Sequence, residues 1–234
     1  MDSRFIRFGN DTLVESYIMA KETKLKNASR EQVDLAKRVV KEDLPPYDGG
    51  KVTGVDVHYH GPLAFGCAAV IDVETLKPVQ TVTLNREVQF DYIPGYLYLR
   101  EGPILLDLLK MLDATGPILI DGNGVLHPRR LGLASYIGVV LNIQTVGVAK
   151  RLHIGTLDSR VGDEAPIRDK DEVIGMAVWL RKAKPVFVSV GNNITLATSV
   201  RIVRDCTVDR YPEPLRRAHQ TAKDMARGRG DCPI

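Results

Sequence analysis

The chain has 234 residues, of which 44% are hydrophobic and 26% charged, and its formal net charge at pH 7 is +3. This composition is typical of a folded globular protein and excludes wholesale disorder, and the length fits one large domain or two small ones. The slight positive charge permits a nucleic acid as partner without requiring one. Three cysteines without Cys-x-x-Cys spacing support neither a disulfide framework nor a zinc site.

The first apolar stretch is short and interrupted by charges, and no apolar run is long enough to span a bilayer. We therefore expect no signal peptide, no membrane partner and a cytoplasmic location. We also expect a monomer.

The N-terminal part predicts two helices. A short one is expected over residues 12–22, within a segment, residues 1–28, that we treat as an N-terminal extension without an assigned role. Ser29 and Gln32 match a capping box, which predicts that a second helix begins there and continues until Pro45. The main domain is expected over residues 29–227, followed by a tail over residues 228–234.

Three strands with short connections follow, which predicts an antiparallel meander over residues 51–59, 65–73 and 78–85. In the first strand Asp56 stands between Val55 and Val57. Because side chains alternate along a strand, Asp56 is expected on the opposite face from the two valines.

An aromatic, turn-rich stretch at residues 92–98 precedes a predicted helix. In that helix Glu101 shares a face with Leu105 and Leu108, which are expected to pack on the sheet. Pro103 is tolerated in a first helical turn, so Glu101 is expected near the N-terminus of the helix. This places an acid at the edge of the sheet.

The apolar residues 118–120 end abruptly in Asp121 and a Gly-rich turn, which predicts a buried strand that delivers a carboxylate to a sheet edge. Gly122 and Gly124 can take backbone angles that let a ligand come close to the main chain. Three donors follow directly behind the acid: His127, Arg129 and Arg130.

The rest of the chain alternates between helices and strands. A helix over 133–141 and a strand over 145–149 that ends at Lys150 are followed by a polar loop or hairpin over 156–171. Strands are expected over 173–180 and 185–190, then a helix with Leu196, Val200 and Val203, and a last helix over 213–227. This order predicts an α/β domain with a mixed sheet flanked by helices.

Asp56, Glu101 and Asp121 can converge at one sheet edge. Three carboxylates brought together repel one another, so such a site requires a cation. Oxygen ligands favour magnesium or manganese. The chemistry that suits this arrangement is hydrolysis of a phosphodiester by metal-activated water.

Four motifs, in order, resemble the endonuclease V family: Val-Asp-Val at 55–57, Tyr-Ile-Pro-Gly at 92–95 leading to Arg100 and Glu101, the Asp121–Gly132 segment with its His-Pro-Arg-Arg, and Thr-Val-Gly-Val-Ala-Lys at 145–150. The resemblance implies an RNase H-like fold in a single domain and a DNA repair nuclease specific for deoxyinosine. By that analogy it hydrolyses the second phosphodiester 3′ of the lesion and leaves a 3′-hydroxyl and a 5′-phosphate. It also implies Mg²⁺ as cofactor, with Mn²⁺ as substitute.

The resemblance also assigns roles to individual residues. Asp56, Glu101 and Asp121 would be the catalytic metal ligands, and Lys150 would stabilise charge at the scissile phosphate. The remaining residues would bind DNA and the lesion: Tyr92, Ile93 and Pro94 as a wedge, Gly95, Leu97 and Gly122 as walls of a pocket for the flipped base, and His127, Arg129 and Arg130 as a basic patch that contacts DNA or orders the metal site.

Asn192 departs from the family pattern, because many members have a histidine there, near the metal or the attacking water. Asparagine can supply a carbonyl ligand but cannot carry a proton at neutral pH. Two alternatives to a deoxyinosine nuclease stay open. One is a nuclease of the same chemistry that acts on inosine in RNA, and the other, which Asn192 motivates, is a non-catalytic binder of damaged nucleic acid.

Overall fold

The computed structural model describes residues 11–113, 116–181 and 184–228. Within these ranges the chain forms α1 (Asp11–Ala36), β1 (Lys51–His60), β2 (Leu63–Asp72), β3 (Pro78–Glu87), α2 (Leu97–Leu109), β4 (Ile118–Asp121), α3 (Leu133–Leu141), β5 (Thr145–Ala149), β6 (Thr156–Leu157), β7 (Glu164–Asp169), β8 (Glu172–Val178), β9 (Val186–Asn192), α4 (Leu196–Asp205) and α5 (Glu213–Ala226). The strands form one sheet in the order β3-β2-β1-β4-β5-β9-β8-β7-β6.

The sheet is mixed, as predicted. β1, β2 and β3 form the antiparallel meander, and β4 is parallel to both β1 and β5. The segment predicted as a loop or hairpin, residues 156–171, contains β6 and β7, which pair antiparallel. Parallel pairing at the centre aligns the carboxyl ends of β4 and β5, and this alignment creates the edge at which the predicted acids stand.

Each face of the sheet has its own apolar layer. Val55 and Val57 of β1 pack with residues of α2 and α3. The β1 residues that alternate with these valines, among them Gly54 and Asp56, face α5. A Cβ on Gly54 would lie 2.2 Å from the backbone carbonyl carbon of Pro214. Glycine at position 54 therefore allows the start of α5 to pack directly against β1. The prediction that Asp56 lies on the opposite face of the sheet from Val55 and Val57 is confirmed.

The N-terminal helix is continuous, so the predicted separate helix over 12–22 and the predicted capping box are both wrong. Ser29 lies inside α1, where its hydroxyl contacts the Tyr96 hydroxyl at 2.6 Å, and Gln32 is 1% exposed. The Ser-x-x-Gln spacing also suits two residues on one side of a helix, and here tertiary partners occupy both side chains. α1 ends at Ala36, so the prediction that the helix continues until Pro45 is also wrong.

The proposed boundary at residue 28 falls inside α1. Residues 1–10 of the predicted extension and residues 229–234 of the predicted tail lie outside the described residues. None of the helices in the described ranges combines the length and the apolar character that a membrane-spanning segment needs.

α2 begins earlier than predicted. Its first residue is Leu97, so Pro103 lies in the second turn and the prediction of a first-turn proline is wrong. The helix starts where it does because Gly95, at φ +80°, closes the preceding turn and Tyr96 serves as the N-cap. Glu101 accordingly lies one turn inside the helix.

Candidate active site

Two of the predicted acids are neighbours because β1 and β4 pair in parallel. Val55 pairs with Ile120 in this register, and Asp56 and Asp121 each follow a paired residue. Adjacent strands lie about 4.8 Å apart. Alternation along the strands places both carboxylates on the face that α5 covers, so they meet at the carboxyl end of β4.

Glu101 reaches the same place from the opposite face of the sheet. Its carboxylate accepts a hydrogen bond of 3.0 Å from the hydroxyl of Tyr59, which follows Val55 and Val57 on the face that packs against α2. The charges of Asp56 and Asp121 both act on Glu101. The structure therefore brings the three predicted acids together.

Burial and repulsion from neighbouring carboxylates raise the pKa of two of these acids, Glu101 and Asp56. Burial raises the pKa of Glu101 to about 8, and the charges of Asp56 and Asp121 add to the rise. Burial and the charge of Asp121 also raise the pKa of Asp56, against the opposing effect of a hydrogen bond with His219. A cation among the three carboxylates would lower this cost.

Side chains from other elements supply positive or proton-donating groups to the two aspartates. His219 on α5 holds Nδ1 2.6 Å from Oδ2 of Asp56. Lys150, directly after β5, forms an ion pair with Asp121. The Tyr211 hydroxyl donates to the Val148 carbonyl at 3.5 Å, and its ring centre lies 4.7 Å from the Lys150 ammonium. Burial and the charges of the two aspartates raise the pKa of Tyr211.

His219 and Tyr211 are residues of this site that the sequence did not reveal. A signal for the histidine existed, because His219 follows Leu215 and Ala218 at the spacing of the buried face of α5. A polar ring on such a face needs a partner. The sequence does not identify that partner, and Tyr211, which lies between α4 and α5, carries no comparable pattern.

The donor set fits a hard divalent cation. Asp56, Glu101 and Asp121 offer only carboxylate oxygens, the ligands that magnesium and manganese prefer. In the described ranges no three His, Cys, Asp or Glu side chains already form a metal cage. The Lys150 ammonium balances Asp121 in this arrangement, and an incoming cation would take over that position.

A cavity of about 680 Å³ opens beside the acids, and Asp121 and Lys150 form part of its wall. Tyr92, 61% exposed, stands at this cavity. Most of the residues predicted to bind DNA or the lesion line it: Tyr92, Pro94, Gly95, Leu97, Gly122, His127 and Arg129. Ile93, which lies in the same turn as Tyr92, and Arg130 do not line it.

The two glycines after Asp121 have different roles. Gly122 lines the cavity, and a Cβ there would meet Leu133 only at ordinary contact distance, 3.7 Å. A Cβ on Gly124 would lie 1.9 Å from the carbonyl oxygen of Val190, so this glycine is required for packing against β9. The expectation that Gly124 admits a ligand is therefore wrong.

The predicted basic patch does not form a set of free cations. Burial and the nearby Arg129 lower the pKa of His127 to about 4, so this ring is neutral. Arg130 forms ion pairs with Asp169 at 2.7 Å and Glu172 at 2.9 Å, which tie it to the β7–β8 hairpin. These contacts give Arg130 a structural role.

Asn192 does not lie near the acids, and the expectation that it stands beside the metal or the attacking water is wrong. It pairs with Thr145 at the start of β5, whereas Asp121 pairs with Val148 toward the other end. Asn192 is 2% exposed, accepts a hydrogen bond from the backbone of Val40 and donates one to the carbonyl of Gly138. The histidine of this site is His219 on α5.

Comparison with known proteins agrees with this geometry. The family model Endonuclease V matches residues 33–220. Endonuclease V of Thermofilum pendens is 40% identical over 208 residues, which cover 87% of this chain and 90% of that protein. The crystal structure of Endonuclease V from Streptomyces avermitilis is 37% identical, has a TM-score of 0.80 and covers 87% of this chain and 93% of that one.

A further solved structure contains a nucleic acid. It is Ciona intestinalis Endonuclease V in complex with a 24mer DNA that contains an inosine followed by a ribo-adenosine. It is 30% identical, has a TM-score of 0.80 and covers 88% of this chain and 99% of that one.

A mixed sheet flanked by helices, with acids gathered at the carboxyl end of its central strands, defines a nuclease of the RNase H-like class. The chain belongs to the Endonuclease V family. The family and the fold class predicted from the sequence are confirmed.

Substituting Glu101 by glutamine tests the electrostatic cost of the site. Because the pKa of Glu101 is raised from 4.5 to about 8 in the folded protein, the folded state binds this proton more tightly than the unfolded state. Stability without metal therefore falls as the pH rises from 4.5 to 8. Glu101→Gln keeps the shape but has no proton to lose, so it should be more stable than the unsubstituted protein at pH 8 by on the order of 1 kcal/mol.

Urea unfolding in a chelator at pH 5, 6.5 and 8 measures this difference. Glu74→Gln, at an exposed position, is the matched control and should keep the original pH dependence. Equal pH dependence of Glu101→Gln and the unsubstituted protein would contradict a raised pKa at Glu101.

Proposed function

We propose that this protein is a metal-dependent endonuclease that recognises deoxyinosine in DNA and hydrolyses the second phosphodiester bond 3′ of it. The products would be a nick with a 3′-hydroxyl and a 5′-phosphate, and the process served would be DNA repair. One observation carries the proposal: the cavity whose wall includes Gly95, Leu97 and Gly122 also includes Asp121 and Lys150. If a flipped base lay in this cavity, the sugar-phosphate backbone of its strand would lie beside Asp121 and Lys150.

The cavity suits a base that has left the helix. Backbone and apolar groups dominate the wall near Gly122, and α2 begins at Leu97 without a side-chain cap for its first N–H groups. Such groups can read the edge of hypoxanthine and disfavour bases with an exocyclic amine. Tyr92, exposed at the rim, can fill the space that the flipped base leaves.

Asp56, Glu101 and Asp121 would hold the metal, Mg²⁺ or Mn²⁺. When bound, the ion would neutralise the carboxylates and supply a water that is a stronger nucleophile at neutral pH. The raised pKa values of Asp56 and Glu101 support this assignment, because both groups gain when a cation stabilises their ionised forms.

The other residues of the site would act on the strand and on protons. The Lys150 ammonium, which pairs with Asp121 here, would stabilise negative charge on the scissile phosphate. His219 holds Asp56 through Nδ1, which leaves Nε2 as the ring atom that can exchange a proton with the reacting groups.

A second cavity, of about 890 Å³, lies on the other side of Lys150. Its charged lining is mainly basic: Lys150, Lys184, Arg210, Arg216 and Arg217 against Asp209 and Glu213. Arg216 and Arg217 are paired with Glu213, whereas Lys184 and Arg210 are exposed without a described ion-pair partner. This groove would continue the path of the bound strand beyond the acids by contacting its phosphates.

A nicking assay tests the proposed activity. An end-labelled duplex with one deoxyinosine should be cut once, 3′ of the lesion, with Mg²⁺ and not with a chelator, and the same duplex without inosine should stay intact. Asp121→Asn should reduce the rate at least ~100-fold because it removes a carboxylate from the metal site. Asp107→Asn, on the exposed side of α2, is the control and should cut normally. Full activity of Asp121→Asn would exclude the proposed site.

The salt dependence of binding tests the groove. If Arg210 contacts one phosphate, Arg210→Ala should reduce the slope of log affinity against log salt concentration by about 0.9. The change should be equal for inosine-containing and inosine-free DNA, since phosphates carry no sequence information. Lys110→Ala, 65% exposed at the end of α2, is the control. An unchanged slope for both Arg210→Ala and Lys184→Ala would remove the groove from the proposal.

The ribonucleotide in the DNA of the Ciona complex favours a second candidate, cleavage next to inosine in RNA. In that DNA a ribo-adenosine follows the inosine. Four single strands of equal sequence distinguish the two candidates: all-DNA, all-RNA, and DNA with one ribonucleotide either 5′ or 3′ of the inosine. Cleavage of the all-RNA strand alone would make RNA the substrate.

A further inference from the structure

The C-terminal part of α1 contacts the turn that carries Tyr92 and Gly95 through a buried glutamine. Gln32 is 1% exposed, and its Nε2 donates to the carbonyl of Gly95 at 3.2 Å and to that of Leu131 at 2.8 Å. Its Oε1 accepts from Nε of Arg129 at 2.6 Å. Both N–H groups and the oxygen of the amide are thus in use, which fixes its orientation.

The carbonyl of Gly95 is the point at which three donors converge. It accepts from Gln32, from Nη2 of Arg129 at 2.6 Å and from Nε2 of His127 at 3.2 Å. The Nδ1 atom of His127 accepts from the backbone of Arg129, so the proton of this neutral ring lies on Nε2. Gly95 has φ +80°, a conformation that glycine adopts readily. The peptide that follows Gly95 is therefore held in one orientation.

Further contacts hold the residues on the C-terminal side of Gly95. The Ser29 hydroxyl contacts the Tyr96 hydroxyl at 2.6 Å, and the Arg129 guanidinium lies 4.3 Å from the centre of the Tyr96 ring. The Tyr98 hydroxyl donates to the Glu31 carboxylate at 2.9 Å and lies 3.2 Å from the Ala28 carbonyl oxygen. One helical turn of α1 thus fixes the junction between the turn at residues 92–96 and the start of α2. This junction also lines the 680 Å³ cavity.

We infer that Gln32 is a positioning residue for base recognition: through the Gly95 carbonyl and Arg129 it sets the turn at residues 92–96 against the cavity. The link to recognition rests on the proposed function. The positioning itself rests only on the contacts of Gln32. Gln32 touches no acid of the site, so its removal should weaken capture of the base and leave the chemical step intact.

Gln32→Glu is the most informative variant. It keeps the shape of the side chain but places an oxygen against the carbonyls of Gly95 and Leu131, which accept hydrogen bonds from the Gln32 amide in the unsubstituted protein. Gln32→Met removes the polar groups at similar volume and serves if the glutamate variant does not fold. Arg30→Ala, at an exposed position of α1, is the matched control. Thermal unfolding of each variant identifies the folded ones.

The first measurement compares binding and chemistry in the folded variants. The ratio of Kd values for inosine-free and inosine-containing DNA should fall at least tenfold in Gln32→Glu, with the affinity for inosine-free DNA unchanged. Single-turnover nicking should need at least tenfold more enzyme for half-maximal rate, while the maximal rate stays within threefold. A merely structural role would instead lower the active fraction and weaken binding to both DNAs equally. Unchanged selectivity would overturn the inference.

The second measurement does not depend on any substrate. Hydrogen exchange of the free protein, followed by mass spectrometry, should show at least tenfold faster exchange in the segment around residues 92–97 of Gln32→Glu and no change in β4 or β5. Unchanged exchange in that segment would overturn the inference even if DNA binding changes. If the unsubstituted protein showed no preference for inosine, the proposed function would fail, and the exchange result alone would decide the role of Gln32.

Discussion

Repulsion among three carboxylates is the constraint on which the site depends. Parallel pairing of β1 with β4 makes Asp56 and Asp121 neighbours, and Glu101 joins them from the other face of the sheet. The three side chains are only partly exposed, so water screens their charges incompletely. The surrounding elements instead bring His219 and Lys150 against the two aspartates. Because α5 carries His219, the close packing of α5 on Gly54 determines whether His219 reaches Asp56.

A second constraint acts on the opposite side of the cavity. The sheet edge is rigid because its strands are paired on both sides, whereas the turn at residues 92–96 has no strand partner in the described structure. Its geometry depends on buried polar contacts with Gln32, Arg129 and His127. Such networks specify one arrangement when every member is satisfied. The cavity thus combines a wall fixed by backbone pairing with a wall fixed by side chains.

Features that depend on local pattern could be predicted from the sequence. The meander, Asp56 and the strand that ends at Asp121 follow from alternation and from an acid placed after an apolar run, and Glu101 follows from helical spacing. Features that depend on packing could not. Ser29 has the spacing of a capping box, but its hydroxyl is engaged by Tyr96. Asn192 occupies the position where the family motif suggests a histidine, yet the register of β5 with β9 places it away from the acids.

The same limit explains the residues that were missed or misjudged. His219 lies on a buried helical face, but only the docking of α5 on β1 shows that Asp56 is its partner. Arg130 follows a motif rich in donors, but the hairpin that neutralises it lies about forty residues further along the chain. Gly124 has the flexibility of a ligand-binding turn, but the carbonyl of Val190 occupies the space. In each case a residue distant in sequence decides the role.

Proton release on metal binding tests most directly whether the acids require a cation. With the pKa of Glu101 near 8, this side chain carries a proton at pH 7 in the metal-free protein, and a metal ligand must lose it. Titration calorimetry with Mn²⁺ in two buffers of different ionisation enthalpy should therefore show release of about one proton per protein. That release should disappear in Glu101→Gln. Mn²⁺ binding without proton release, or binding unchanged in Asp121→Asn, would contradict the account.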